Sequence, residues 1–206
     1  MTPFRHLATG CLVVLLLAAT GACGQGGGEA PLATASPTQV QVPPSPAVLS
    51  TPSGPPALAA SVPVRIEIPT IAVDSDLMAL GLQDDGTLEV PPDGFPAGWF
   101  TGAPTPGEVG PAVIVGHIDW VTGPAVFYEL ASLQVGDEIR VSRADGSVVT
   151  FRTTQVEQYP KDAFPTDLVY GDIDYAGLRL ISCGGAFNRV TGHYEDNVVA
   201  FAARVG

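Results

Sequence analysis

The sequence predicts an all-β domain, either a barrel or a sandwich, with one or two short helices in the connections. Residues 63–206 contain short runs of β-forming residues that are broken by Pro, Gly and Asp. No segment sustains a helical period beyond about three turns. The pair Asp145-Gly146 lies between two such runs, and Asp-Gly is the strongest short-range signal of a β-hairpin.

The predicted elements follow one another along the chain with turn-forming residues between them. Two brief helices are predicted at 125–133 and 161–169, and Pro165 interrupts the second. The chain has no internal repeats, and one core is expected in a chain of 206 residues. The predicted strands cover 64–69, 74–81, 86–91, 98–100, 111–117, 137–143, 147–159, 178–183 and 197–205.

The amino terminus, residues 1–23, is predicted to be a targeting segment. Arg5 supplies a positive start, residues 7–20 are apolar and uncharged, and small residues follow. The sequence AATGAC, which ends at Cys23, resembles a bacterial lipobox, in which the cysteine becomes the lipidated first residue after cleavage. Plain signal-peptide cleavage and an uncleaved signal anchor remain alternatives. All three place the rest of the chain outside the cytoplasm.

A tether is predicted between this segment and the folded domain. Residues 24–62 consist mainly of Gly, Pro, Ala, Ser and Thr with a single charge. Such a stretch cannot bury enough apolar surface to offset its ordering entropy, and its prolines keep it extended. The folded domain is therefore expected to comprise residues 63–206.

The charge of the chain excludes one class of partner. Nine Lys and Arg residues against 21 Asp and Glu residues give a net charge of -12. A protein that binds the phosphate backbone needs the opposite sign, so nucleic acid is not expected as a partner. No segment shows the Asp-x-Asp-x-Asp-Gly pattern of a calcium loop, and neither a metal nor another cofactor is predicted.

Cys183 is the candidate nucleophile. The other two cysteines, Cys11 and Cys23, belong to the targeting segment, which leaves one unpaired thiol in the folded part. An unpaired cysteine in an exported protein indicates intermolecular pairing, a reactive thiol, or burial as a small apolar residue. Two glycines follow Cys183, and strand alternation puts it on one face with Arg179 and Ile181. The glycines favour a reactive thiol, because they let a substrate backbone approach the sulfur.

The candidate base is one of two histidines outside the targeting segment. His117 follows Gly116 at the end of the apolar run PAVIVGH, where a loop opens. His193 lies in a polar loop, where solvent exposure is the simpler interpretation. An ordinary surface or core histidine is the alternative for His117.

The segments around these two residues resemble a known family. VGHIDWVTGPAVFYEL (115–130) and LRLISCGGAFNRVTGHYEDNVVAFA (178–202), together with RIEIPTIAVDSDLMALGLQDDGTLEVP (65–91), are similar to the sortases. Sortases are cysteine transpeptidases of Gram-positive cell surfaces, and the similarity is to their actinobacterial class E or class F branch. The resemblance implies an eight-stranded β-barrel over residues 63–206, which agrees with the predicted strands.

The resemblance also implies roles for individual residues. His117 corresponds to the catalytic histidine and Cys183 to the nucleophile. The family's third catalytic residue is an arginine that in many sortases follows the cysteine by about a dozen residues. This chain has Asp196 and Asn197 there, so the role is assigned to Arg189, the only arginine between Cys183 and Arg204.

Further candidates surround the cysteine. Arg179 is the reserve for the arginine role, and Arg204 lies too far along the last strand. Ser182 and the amide of Gly184 are expected to contact the substrate or its oxyanion. Walls for a peptide groove are expected from residues such as Ile181, Trp120 and Phe127.

The activity implied is transpeptidation. A sortase-like enzyme cleaves a Leu-Pro-x-Thr-Gly-like sorting signal of another exported protein and transfers it to an amine of the cell wall or of a surface protein. The L,D-transpeptidases carry histidine and glycine just before their cysteine, and LISCGG has neither. A membrane-tethered binding lipoprotein without catalytic activity, built on the same barrel, remains the alternative.

Overall fold

Residues 55–206 are described by a computed structural model, in which eight strands form a closed barrel. The all-β prediction and the eight-stranded barrel implied by the resemblance are confirmed. The targeting segment with Cys23, and the predicted tether as far as residue 54, lie outside the described residues.

The barrel strands follow the order β1-β2-β3-β4-β9-β10-β8-β7, and β7 closes the barrel by pairing with β1. The pairs β2 with β3 and β4 with β9 are parallel, and the remaining neighbours are antiparallel. Between β4 and β7, β5 and β6 form a separate small hairpin. The elements are β1 (Pro63–Ile68), β2 (Val73–Leu80), β3 (Ala97–Phe100), β4 (Gly110–Val115), β5 (Asp119–Trp120), β6 (Gly123–Pro124), β7 (Glu138–Arg143), β8 (Val148–Pro160), α1 (Thr166–Tyr170), β9 (Ala176–Asn188) and β10 (His193–Arg204), with 3-10 turns at Pro69–Ile71, Leu130–Ser132 and Lys161–Ala163.

Side chains alternate along β9 between the barrel interior and an outer apolar cluster. Leu178 and Leu180 face inward into the main core, whereas Ile181 packs in the outer cluster, to which Val169 of α1 also belongs. The period of two along a strand accounts for this division. The prediction that Arg179, Ile181 and Cys183 share one face is therefore confirmed, and that face is the outer one.

Two predicted elements, one strand and one helix, are wrong. Residues 86–91 form no strand; the only pairing nearby is an isolated bridge between Leu82 and Leu88, and Pro91 begins a pair of prolines without an N–H to donate. Residues 125–133 contain only the 3-10 turn. The amides of Ala125 and Phe127 donate to carbonyls in the preceding loop, so they do not start a helix.

The other predictions differ only in extent. The Asp-Gly hairpin is confirmed between β7 and β8, where Gly146 takes the positive φ of 85° that such a turn requires. Pro165 divides the second predicted helix into the 3-10 turn Lys161–Ala163 and α1. Strand β9 continues beyond its predicted end, and β10 begins before its predicted start. The turn 189–192 joins them.

Ordered contacts begin before the predicted domain boundary at residue 63. The amide of Leu58 donates to the carbonyl of Gly107 at 2.9 Å, and Leu58 packs against the core. The guanidinium of the buried Arg143 donates to the carbonyl of Ala59. The amide of Ser61 donates to the hydroxyl of Thr105 at 3.0 Å. The last residues assigned to the tether thus lie against the barrel.

The interior packing predicts a large effect of one substitution. Phe151 on β8 is completely buried in the main core. Phe151→Ala is expected to lower the free energy of unfolding by about 3–5 kcal/mol, because it removes a buried ring and leaves a cavity. The measurement is urea unfolding of the full chain. Val148→Thr on the same strand, at an exposed position, is the matched control and is expected to change it by less than about 0.5 kcal/mol.

Candidate active site

The parallel pairing of β4 with β9 brings the predicted nucleophile and histidine together. Val115 stands opposite Ile181 in this pair, and the amide of Gly116 donates to the carbonyl of Ile181 at 3.0 Å. His117 lies two residues beyond Val115, just past the end of β4, and Cys183 lies two residues beyond Ile181 within β9. Because the two chains run in the same direction and in register, both side chains emerge at the same end of the barrel and on the same face.

His117 and Cys183 line one cavity of about 610 Å³. Cys183 is half-buried and is the free cysteine of the described residues. The walls include residues 88–90, the loop with β5, the end of the β9–β10 hairpin, and Lys161 and Tyr170. Because Cys183 lies on a strand and lines a cavity, its thiol differs from that of a buried structural cysteine.

The ring of His117 is held from two sides. Its Nε2 lies 2.7 Å from the carbonyl oxygen of Pro91, and its ring centroid lies 4.8 Å from that of Trp120. A carbonyl oxygen only accepts hydrogen bonds, so Nε2 carries a hydrogen and Nδ1 is the nitrogen that remains for proton exchange. Within the described residues, no hydrogen bond joins His117 to Cys183.

Lys161 is a site residue that the sequence reasoning missed. Its Nζ lies 3.5 Å from Sγ of Cys183, and it lines the same cavity. Cys183, Asn197 and Tyr159 stand opposite one another on the neighbouring strands β9, β10 and β8. Lys161 follows two residues after Tyr159, just beyond the end of β8. One sequence signal could have found it, since Lys161 is the single lysine of the chain. Its pairing with the cysteine could not be read from spacing, because β10 lies between them.

Neither candidate arginine lies in this group. Arg189 is exposed in the turn between β9 and β10 and does not line the cavity. Arg179 shares the face of Cys183 but is buried against Phe201, with its guanidinium carbon 4.8 Å from the ring centroid. Its Nη1 donates to the carbonyl of Leu178 at 3.1 Å. The structure therefore does not bring the predicted arginine to the thiol.

The two residues that flank Cys183 face the barrel interior. The hydroxyl of Ser182 is buried without a hydrogen-bond partner in the described part of the chain, so only the backbone of Ser182 can reach a substrate. A Cβ on Gly184 would come within 2.6 Å of Val198, so packing requires this glycine. Gly185 has φ +75°, and a Cβ there would meet Asp196. Packing and backbone conformation thus account for both glycines, and a role for the Gly184 amide stays a prediction.

The expected groove walls divide between the cavity and the core. Ile181 and Trp120 line the cavity, as does His193. Phe127 is 1% exposed and belongs to the main core. It helps to hold the loop that begins at His117, because its amide donates to the carbonyl of His117 at 2.9 Å.

A hydrogen bond joins two walls of the cavity into one rim. The hydroxyl of Tyr194, at the start of β10, donates to Oδ2 of Asp119 in β5 at 2.6 Å. This hydrogen bond to a carboxylate raises the pKa of Tyr194 to about 12, because ionising the phenol would place two negative charges side by side. The Phe187 ring packs against Tyr194 with a centroid distance of 5.1 Å.

Two other classes of site were sought in residues 55–206. No group of three or more His, Cys, Asp or Glu side chains is placed there to hold a metal ion. No helix in the same range is long and apolar enough to cross a membrane.

Comparison with known proteins identifies what the chain is similar to. A model described as Sortase domain matches residues 66–205. The fold is similar to that of a lid mutant of sortase A from Corynebacterium diphtheriae, at 20% identity and a TM-score of 0.55, over 72% of this chain and 73% of that one. It is also similar to sortase C1 of Streptococcus agalactiae in complex with MTSET, at 20% identity and a TM-score of 0.55, over 69% and 67% of the two chains.

A third structure has a similar fold, the Sortase D5 transpeptidase of Clostridium perfringens, at 22% identity and a TM-score of 0.51, over 71% of this chain and 79% of that one. No curated protein sequence matches the chain. At these identities the structures show the fold alone. They belong to classes A, C and D, so the assignment to class E or class F stays a prediction.

The rim predicts a titration that can be measured. Replacing Asp119 by Asn keeps a hydrogen-bond acceptor but removes the charge, so the pKa of Tyr194 is expected to fall from about 12 toward its ordinary value. Because the folded-state pKa is raised, this interaction stabilises the protein at and below about pH 10 and is lost as the pH rises through about 12. The measurement is ultraviolet absorbance of phenolate in the full chain, with Tyr194→Phe subtracted. Equal curves for wild type and Asp119→Asn would refute it.

Proposed function

The chain belongs to the sortase family, and from this premise we propose that it is a cysteine transpeptidase that acts outside the cytoplasm. Its proposed substrate is a Leu-Pro-x-Thr-Gly-like sorting signal of another exported protein. One observation carries the proposal: Cys183 and His117, which come from distant parts of the sequence, line one cavity at the same end of two parallel strands.

In the first step, Sγ of Cys183 attacks the carbonyl carbon of the Thr-Gly bond as a thiolate. The tetrahedral intermediate collapses, the C–N bond breaks, and His117 as imidazolium gives its proton to the leaving glycine amine. The products of this step are a thioacyl enzyme and a peptide with a new amino terminus. The neutral histidine that remains is the base for the second step.

In the second step, an amine enters the cavity and attacks the thioester carbonyl. His117 takes a proton from the amine, the C–S bond breaks, and the sulfur leaves as a thiolate. The proposed acceptor is an amine of a peptidoglycan precursor or of a surface protein, and the product is a new peptide or isopeptide bond. Water replaces the amine when no acceptor arrives, and the reaction then ends in hydrolysis.

The amino-terminal segment of the chain is proposed to fix where the domain lies in the cell. A targeting segment at 1–23, lipidation at Cys23 and a tether over 24–62 would hold the domain at the outer face of the membrane. A tether of this length lets the cavity reach substrates away from the lipid surface. Signal-peptide cleavage without lipidation, or an uncleaved anchor, would leave the chemistry unchanged.

A tethered binding protein without catalysis is the competing function. The barrel alone does not distinguish the two, because one fold supports many functions. The half-buried thiol in the cavity favours the enzyme, because a binding site for an extended peptide needs neither a thiol nor an imidazole beside it.

The proposal predicts complete dependence on two side chains. The full chain is incubated with a library of Leu-Pro-x-Thr-Gly-like peptides and a glycine-based amine, and products are identified by mass spectrometry. Cys183→Ala and His117→Ala are each expected to lower the rate at least about 10³-fold, because one removes the nucleophile and the other the proton carrier. Wild type treated with hydroxylamine is expected to release a peptide hydroxamate, which reports the thioester.

Val148→Thr, an exposed change at the start of β8, is the control and is expected to keep the wild-type rate. If wild type leaves every peptide intact while still binding some of them, and Cys183 alkylates no faster than a free thiol, the binding function replaces the enzyme.

A further inference from the structure

We propose that Lys161 is the cation of this catalytic centre, in the role that the sequence assigns to Arg189. The proposal rests on the transpeptidase function and adds a catalytic residue to it. The single lysine of the chain and the single cysteine of the described residues meet at 3.5 Å in the cavity that His117 also lines.

The backbone places Lys161 where a cation is useful. Strand β8 ends at Pro160, which pairs with Asp196 of β10, and Lys161 begins the 3-10 turn that follows. Its side chain extends over β10 toward β9. Asn197 is the residue directly opposite Cys183 and lines the cavity, but it is neutral. The ammonium group of Lys161 therefore supplies the positive charge that this position of β10 lacks.

Other cations are held elsewhere. Arg189 lies in the exposed hairpin turn outside the cavity, and Arg179 is buried against Phe201. Among the described residues that line the cavity, the basic ones are Lys161, His117 and His193. His117 must exchange a proton during the reaction, so it cannot serve as a permanent charge. A lysine ammonium retains its charge through both steps.

The charge of Lys161 is not neutralised by a carboxylate. The chain carries 21 acidic residues, yet within residues 55–206 no ion pair is formed by Lys161, whereas six of the arginines there form ion pairs or hydrogen bonds with carboxylates or carbonyls. In a strongly acidic protein, an ammonium that contacts a sulfur and no carboxylate is available to an anion at that place.

The ammonium contributes at two points of the reaction without forming a covalent bond. Before attack it faces the sulfur, where its positive charge can pair with the thiolate that acts as the nucleophile. During attack the negative charge moves from sulfur to the carbonyl oxygen beside it, and the three N–H donors of the ammonium can follow that charge. When the C–S bond breaks in the second step, the charge returns to the sulfur and the same contact forms again.

The test compares Lys161→Met with Lys161→Arg in the full chain, with the peptide and amine used above. Methionine keeps the length and flexibility of the side chain but removes the charge, and kcat/KM is expected to fall about 10²-fold or more. Arginine keeps the charge and is expected to retain the rate within about tenfold. Alkylation of Cys183 by iodoacetamide, followed on the Cys183 peptide by mass spectrometry, is expected to slow in Lys161→Met and not in Lys161→Arg.

If Lys161 had a purely structural role, the rates of Lys161→Met and Lys161→Arg would not differ according to the charge of the new side chain. Urea unfolding is measured for each, and equal midpoints are expected because Lys161 is exposed. Arg152→Gln, which removes one positive charge from an exposed position on β8, is the control for net charge and is expected to keep the rate.

Three results would overturn the proposal. The first is an active wild type whose rate and alkylation are unchanged in Lys161→Met. The second is a loss in Arg189→Gln that equals or exceeds the loss in Lys161→Met. The third is a hydroxylamine-resistant acyl group on Lys161, which would make this lysine an acceptor of the acyl group and not a cation. An inactive wild type would refute the transpeptidase itself, which keeps the two failures distinct.

Discussion

The parallel pairing of β4 with β9 is the constraint on which the candidate site depends. The two strands run in the same direction and in register, so the residues just beyond Val115 and Ile181 lie next to each other in space. Strand alternation then sends His117 and Cys183 to the outer face, away from the packed interior. Nothing in either local sequence produces this meeting. It requires the closed order of strands, which inserts β9 between β4 and β10.

Segments outside the barrel strands orient the His117 ring and form the rim of the cavity. The segment that ends in Pro91 accepts a hydrogen bond from the His117 ring, and the loop with Trp120 packs against the same ring. Across the cavity, Tyr194 is bonded to Asp119, so the β9–β10 hairpin and the β5–β6 hairpin share one rim. The imidazole is thus oriented by loops whose own position depends on the strands.

The same alternation separates packing from chemistry around Cys183. Inward positions are filled or kept small by core requirements, as the buried hydroxyl of Ser182 and the contact of Gly184 with Val198 indicate. Outward positions line the cavity. Lys161, whose ammonium lies beside the sulfur, comes from the end of β8, across an intervening strand, whereas the role was assigned to Arg189 among the arginines that follow Cys183 in the sequence.

The sequence by itself determined the strands with clear apolar runs, the Asp-Gly hairpin and the face that Cys183 shares with Arg179 and Ile181, because these follow from local periodicity and from residue chemistry. It left two histidines as candidate partners of Cys183, and the family resemblance pointed to His117. Only the tertiary structure decided that residues 86–91 form a wall and not a strand, and that residues 125–133 stay largely non-helical. It also decided that Lys161, and not Arg189, contacts the sulfur. Each of these outcomes rests on contacts made with residues outside the segment itself, and such contacts outweigh local propensity.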